Sequence, residues 1–137
     1  MIELAFRARL ASLPAVAALV GARVYPVTAP QNPTLPYIVY GQAGGTFDAT
    51  LDGILGKREI ILRVFCWAQT WDEAHALAKV VRGTNTARGL HAWGGRVMVG
   101  DEEIRVTGCF LVAENDDRDD ELKYFCVTQQ YRVTGKE

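Results

Sequence analysis

The stretch "REIILRVFCWA", residues 58–68, constrains the fold more than any other part of the chain. Ile60, Leu62, Val64 and Cys66 occupy alternate positions and are uniformly apolar, the period of a β-strand with one face in a core. The intervening Glu59, Ile61, Arg63, Phe65 and Trp67 mix charge with large apolar groups. Such a face is too apolar for open solvent and too charged for a core. It suits either a surface that another subunit covers or packing beneath the chain's own loop or helix.

Helices are expected around this strand. Ile2, Phe6, Leu10 and Leu13 fall on one helical stripe, with Glu3, Arg7 and Arg9 elsewhere. "PAVAALVG" reads as a second short helix, with Pro14 in its first turn and Gly21 at its end. "TWDE" places Thr70 at an N-cap with Glu73 three residues on, a capping box. The helix it opens has Trp71, Ala74, Leu77, Ala78 and Val81 as its apolar stripe and Asp72, Glu73, Lys79 and Arg82 outside it. Gly83 ends it.

Residues 23–36 hold four of the five prolines and are expected to form an extended crossing segment, neither helix nor central strand. "YIVYGQ" is a short strand. The following "AGGTFDATLDGILGK", residues 43–57, shows no period and is expected to be a long loop or a floppy hairpin. Its Phe47, Leu51, Ile54 and Leu55 would be costly in water, which points to a partner that covers them. Residues 84–95 read as irregular, with a short strand near 97–99 and two long strands after it. Ile104, Val106, Phe110 and Val112 are assigned one face of the first, and Phe125, Val127, Tyr131 and Val133 one face of the second. Between them "ENDDRDDE", residues 114–121, packs six carboxylates into eight positions. An acidic, solvated hairpin tip is expected there, bearing Asp116, Asp117, Asp119 and Asp120. A calcium loop would need a central glycine and two flanking helices, and this stretch has neither.

Together these elements predict one α+β domain over residues 1–137: a mainly antiparallel sheet flanked by an N-terminal helix and one central amphipathic helix, closed by a long C-terminal β-hairpin.

With 15 basic against 16 acidic residues and a formal net charge of -1, no global field would draw the chain to nucleic acid or to an anionic membrane. The basic residues are scattered along the sequence without a run, and most read as solvated surface. A subset is left to face DNA passing through an assembly. Cys66, Cys109 and Cys126 each sit in a strand-like run and read as buried, reduced thiols. No secretory signal is evident, and no apolar run reaches the roughly 18 to 20 residues of a membrane span, so synthesis and folding in a cytoplasm are expected.

Motifs for chemistry are sparse. Ser12 is the only serine and sits at a helix junction, without a nucleophile elbow. His75 and His91 lack zinc-helix spacing. "GILGKRE" has Leu51 where a phosphate loop needs its first glycine and Arg58 where it needs Ser or Thr. No catalytic residue, cofactor or metal is expected. A cysteine–histidine pair that meets only in space stays open, as do a ligand binder or enzyme with residues 43–57 as a lid, and a monomeric adaptor.

The order of pieces carries more than any motif. An N-terminal helix, then "LPAVAALVGARVYPVTAPQNPTLPYIVY", then a strand ending "VFCWAQTWDEAHALAKVVR", then a closing hairpin with "LKYFCVTQQYRV", resembles the tail-completion and tail-terminator proteins of long-tailed bacteriophages, also found in gene transfer agents and prophages. The resemblance runs over nearly the whole chain and matches least well between Thr84 and Gly95. It implies a non-enzymatic virion protein that forms a ring, usually of six subunits, on the end of the tail tube. Such a ring stops tube polymerisation and offers the head-joining surface. Its implied partners are copies of itself, the major tail tube protein and a head-completion or connector protein, with DNA passing through unread. The alternative within the same particle is a neck or head-completion layer. On this reading Phe47, Leu51, Ile54, Arg63, Phe65 and Trp67 are candidate subunit or tube contacts. The acidic tip at Asp116, Asp117, Asp119 and Asp120 either lines a DNA channel or grips a basic neighbour.

Overall fold

The computed structural model describes residues 2–50 and 53–136, with residues 47–50 and 53–56 as backbone only. Among the described residues the elements run α1 (Ile2–Ser12), α2 (Pro14–Val20), β1 (Val24–Pro26), β2 (Tyr37–Thr50), β3 (Gly53–Ala68), α3 (Trp71–Arg82), β4 (Trp93–Val99), β5 (Glu102–Asp119) and β6 (Tyr124–Lys136). The strands form one sheet in the order β1-β2-β3-β6-β5-β4. β1 runs parallel to β2, and the other neighbours are antiparallel. This is the expected α+β architecture, with the three helices packed on one face of the sheet. Among the described residues no helix is long and apolar enough to cross a membrane.

The core follows from two periods. Ile60, Leu62, Val64, Cys66 and Ala68 of β3 point inward and are fully buried. Register sets them beside Val127, Gln129, Tyr131 and Val133 of β6. α1 lays Ile2, Ala5, Phe6 and Leu10 over this layer, and α3 adds Ala74, Leu77, Ala78 and Val81. Thr70 caps α3 by accepting a hydrogen bond from the Glu73 backbone N–H at 3.2 Å. At the far end Gly83 takes φ +91°, and the chain doubles back so that Leu90 N–H and His91 N–H donate to the Val81 and Arg82 carbonyls. The irregular segment after α3 therefore satisfies carbonyls that the helix end would otherwise leave unpaired. The proline-rich segment is extended as expected and contributes only the three-residue edge strand β1.

One pair of alternatives is decided and three expectations need correction. Of loop or hairpin over residues 43–57 the hairpin holds: the described residues 43–50 and 53–57 belong to its two arms, β2 and β3. Register shifts at Gln42/Gly44 and Phe47/Ala49 break its alternation, which is why no period is visible. Phe110 and Val112 do not share the buried face of Ile104 and Val106; they are 45% and 48% exposed, because shifts at Val106/Gly108 and Leu111/Ala113 rotate the strand between them. Trp71 is 49% exposed and lies outside the buried stripe of α3. Finally, the acidic stretch is mostly strand: β5 runs to Asp119, and the turn is only residues 120–123.

Candidate interaction surface

The face of the sheet away from the helices carries the odd positions of β3. Trp67 lies opposite Tyr37 of β2 and stacks on it, with ring centroids 6.3 Å apart and planes at 22°. Tyr37 in turn meets Tyr25 of β1 at 6.1 Å. Phe65 lies opposite Val39, and Arg63 opposite Gly41. The segment after β1 folds over this end of the face. Val27, Pro30 and Pro33 join Val39, Phe65 and Trp67 around an open cavity of about 410 Å³, with Leu122 of the β5–β6 turn at its rim. Packing beneath the chain's own segment accounts for part of the mixed face: the proline segment buries Tyr37 and Val39, while Phe65 and Trp67 stay half-buried and Arg63 and Val27 exposed. Leu51 lies outside the described residues, as do the side chains of Phe47 and Ile54.

The four aspartates expected at the tip diverge. Asp116 turns toward α3, where Trp71 Nε1 donates to its Oδ2 at 2.9 Å and His75 Nε2 lies 3.4 Å away. Asp117 projects from the opposite face of β5, across from Cys126. Asp119 builds the turn, its Oδ1 accepting from the N–H groups of Glu121 and Leu122 at 3.0 Å each. Asp120 is nearly fully solvent-exposed. Glu114, from the same acidic run, accepts from Arg82 at 2.8 Å and from Gln129 at 2.9 Å. Fully buried Gln129 also donates to the Ala78 carbonyl and accepts from the Tyr131 hydroxyl, so this polar group in the core is satisfied on every side. Nothing in the local sequence separates these inward carboxylates from the solvated ones; the strand's alternation beneath them does.

The Trp71 hydrogen bond, and then that of His75, hold the Asp116 carboxyl below its ordinary 3.8. A depressed folded value means that the contact contributes above the unfolded pKa and is lost only as pH falls through the lower folded one. In an acid titration the tryptophan emission assigned to Trp71, taken as the difference between wild type and Asp116→Asn, is expected to hold through pH 3.8 and to change below it. A change centred above 3.8 would refute the contact.

The three cysteines are buried and unpaired, as expected. Burial pushes the Cys109 thiol up to about 12 and Cys126 up to about 11, and it raises Cys66 well above its ordinary value. Thiolate is the reactive form. At pH 8 a thiol reagent is expected to label none of them in the native protein and all three in denaturant; rapid native labelling would contradict the packing.

The fold agrees with comparison to known proteins. Residues 5–135 match the family model described as Tail completion protein gp17. The fold is similar to a chain in the solved structure of the virion of a native gene transfer agent (GTA) particle, with TM-score 0.65 and 19% identity over 96% of this chain and 92% of that one. A search of curated proteins finds no match. With nearly its whole length matched, the chain belongs to the tail completion protein gp17 family and is a structural component of a phage-type virion tail.

Proposed function

We propose that the protein forms a closed ring on the end of the tail tube, where it halts tube polymerisation and presents the surface that joins tail to head. The observation that carries this reading is the outer sheet face, where Phe65 and Trp67 stand half-buried beside exposed Arg63 in a family of tail completion proteins. Aromatic and arginine side chains are the usual anchors of protein interfaces once water is excluded around them. The partners are further copies of the chain, the tail tube protein and a connector protein. Phe47, Leu51 and Ile54 add to these contacts, and DNA passes without being read. No catalytic role is part of this reading.

The test is solution mass by light scattering, alone and with tail tubes from the same particle. A ring near six subunits, or a monomer that binds only tube ends, supports termination. A monomer indifferent to tubes overturns it, and binding to connectors but not tubes moves the protein to the neck layer. Trp67→Ala is expected to weaken tube-end binding by about 2 kcal/mol, roughly thirtyfold. Its fold, checked by circular dichroism, should persist, and unchanged binding would remove Trp67 from the interface.

A further inference from the structure

Strand register assembles a pattern that the linear sequence scatters. Arg96 of β4 lies opposite Arg105 of β5, Arg105 opposite Lys136 of β6, and Lys136 opposite Lys57 of β3. Paired positions share a face, so four cations form one row across four neighbouring strands, about 14 Å long, on the face away from the helices. Like charges set directly opposite destabilise a sheet. Arg96 is relieved by Glu103 at 3.3 Å, whereas Lys57, Arg105 and Lys136 have no ion pair among the described residues. All four are exposed. The last three border a cavity of about 410 Å³ with Thr46, Thr134 and a single carboxylate, Glu59.

The opposite charge lies at the other end of β6. Residues 116–121 hold five carboxylates against Arg118 alone, and Asp117, Asp120 and Glu121 face solvent there. β6 has thirteen residues from Tyr124 to Lys136, which places row and turn about 40 Å apart. No tip can reach the row of its own chain.

We propose that the cationic row of Lys57, Arg105 and Lys136 receives the acidic β5–β6 turn of a second copy, making a head-to-tail contact between successive subunits. This inference rests on the ring reading above and names the contact that closes the ring. Row and tip are unlike surfaces, so each subunit offers one of each, as a heterologous interface requires. Charge complementarity favours this occupant over nucleic acid, because a chain of net charge -1 that carries its own acidic turn repels a polyphosphate as it approaches.

The test is a charge swap on the full chain, read by sedimentation velocity in about 50 mM and about 500 mM salt. Arg105→Glu with Lys136→Glu reverses the row; Asp120→Lys with Glu121→Lys reverses the tip and leaves Asp116 and the turn-forming Asp119 in place. Wild type is expected to self-associate at low salt and to weaken at high salt. Each variant alone should associate more than about tenfold less tightly. An equimolar mixture of the two should associate again, since each then finds its complement. That recovery also shows that both variants are folded. Wild type that stays monomeric at low salt, variants that associate like wild type, or a mixture that stays apart would overturn the contact. So would a row variant that loses duplex DNA binding while self-association is unchanged, which would make the row a phosphate surface. If wild type and variants cap tube ends alike, the ring reading stands and only this contact falls; a wild type that neither associates nor binds tubes removes both.

Discussion

Phe6→Ala is expected to lower the unfolding free energy by about 4 kcal/mol. Phe6 is fully buried, and its ring meets Tyr131 at 5.8 Å and Tyr40 at 6.5 Å, so it joins α1 to β6 and β2 at once. Truncation removes its transfer free energy and leaves a void that the flanking tyrosines cannot fill without leaving their rotamers. Leu4, two residues away on the other side of α1 at 38% exposure, is the control, and Leu4→Ala should cost less than about 1 kcal/mol. Urea denaturation with an unchanged m-value measures both. Equal costs for the two would mean that α1 does not dock on the sheet in solution.

Arg58→Met is expected to cost about 3 kcal/mol. Arg58 points inward from β3, 9% exposed, and its Nη1 lies 2.9 Å from Glu3 Oε1. Gln42, its amide nitrogen turned toward Glu3, bridges the pair at 3.1 Å to Glu3 and 3.3 Å to Arg58. Removing the guanidinium strands a largely desolvated carboxylate, and that penalty exceeds the net worth of the intact pair. Adding Glu3→Leu to Arg58→Met should therefore recover at least half of the loss. Thermal melts of the four proteins of the cycle measure this, and two fully additive losses would place the cost in packing instead.

How much of this was legible in the sequence depends on how far apart the cooperating residues lie. Alternation in residues 58–68 and the capped stripe after Thr70 are local, and they gave α3 nearly to the residue and β3 from Arg58 to Ala68, without its first arm from Gly53. Bulges are local too, yet they work against periodicity. Phe110 and Val112 look like the continuation of Ile104 and Val106 until the intervening register shifts are known. Glycine, alanine and aspartate between Gly41 and Gly53 hid the β2–β3 arm too, since weak β-formers leave mainly pairing with β3 to define the strand. The surface was least legible of all. Trp67 and Arg63 could be nominated because they share a strand with the core, but Arg96, Arg105, Lys136 and Lys57 meet only through three strand pairings. Trp71 looked apolar by type and proved to be a hydrogen-bond donor to Asp116, which lies 45 residues away.

A sheet ends somewhere, and the outermost strand on each side of this one is guarded. On one side β1 is three residues long and finishes at Pro26, which has no N–H to offer a further strand. On the other, β4 places Arg96 in mid-strand, 66% exposed, between Gly95 and the turn at Gly100. Neither β1 nor β4 readily templates the addition of another strand, so continuation into a ribbon by main-chain pairing is discouraged over the lengths of β2 and β5 that they cover. Growth of that kind is open-ended. A protein proposed to close a ring on a tube end is better served by contacts through side chains, which fix an angle and a number.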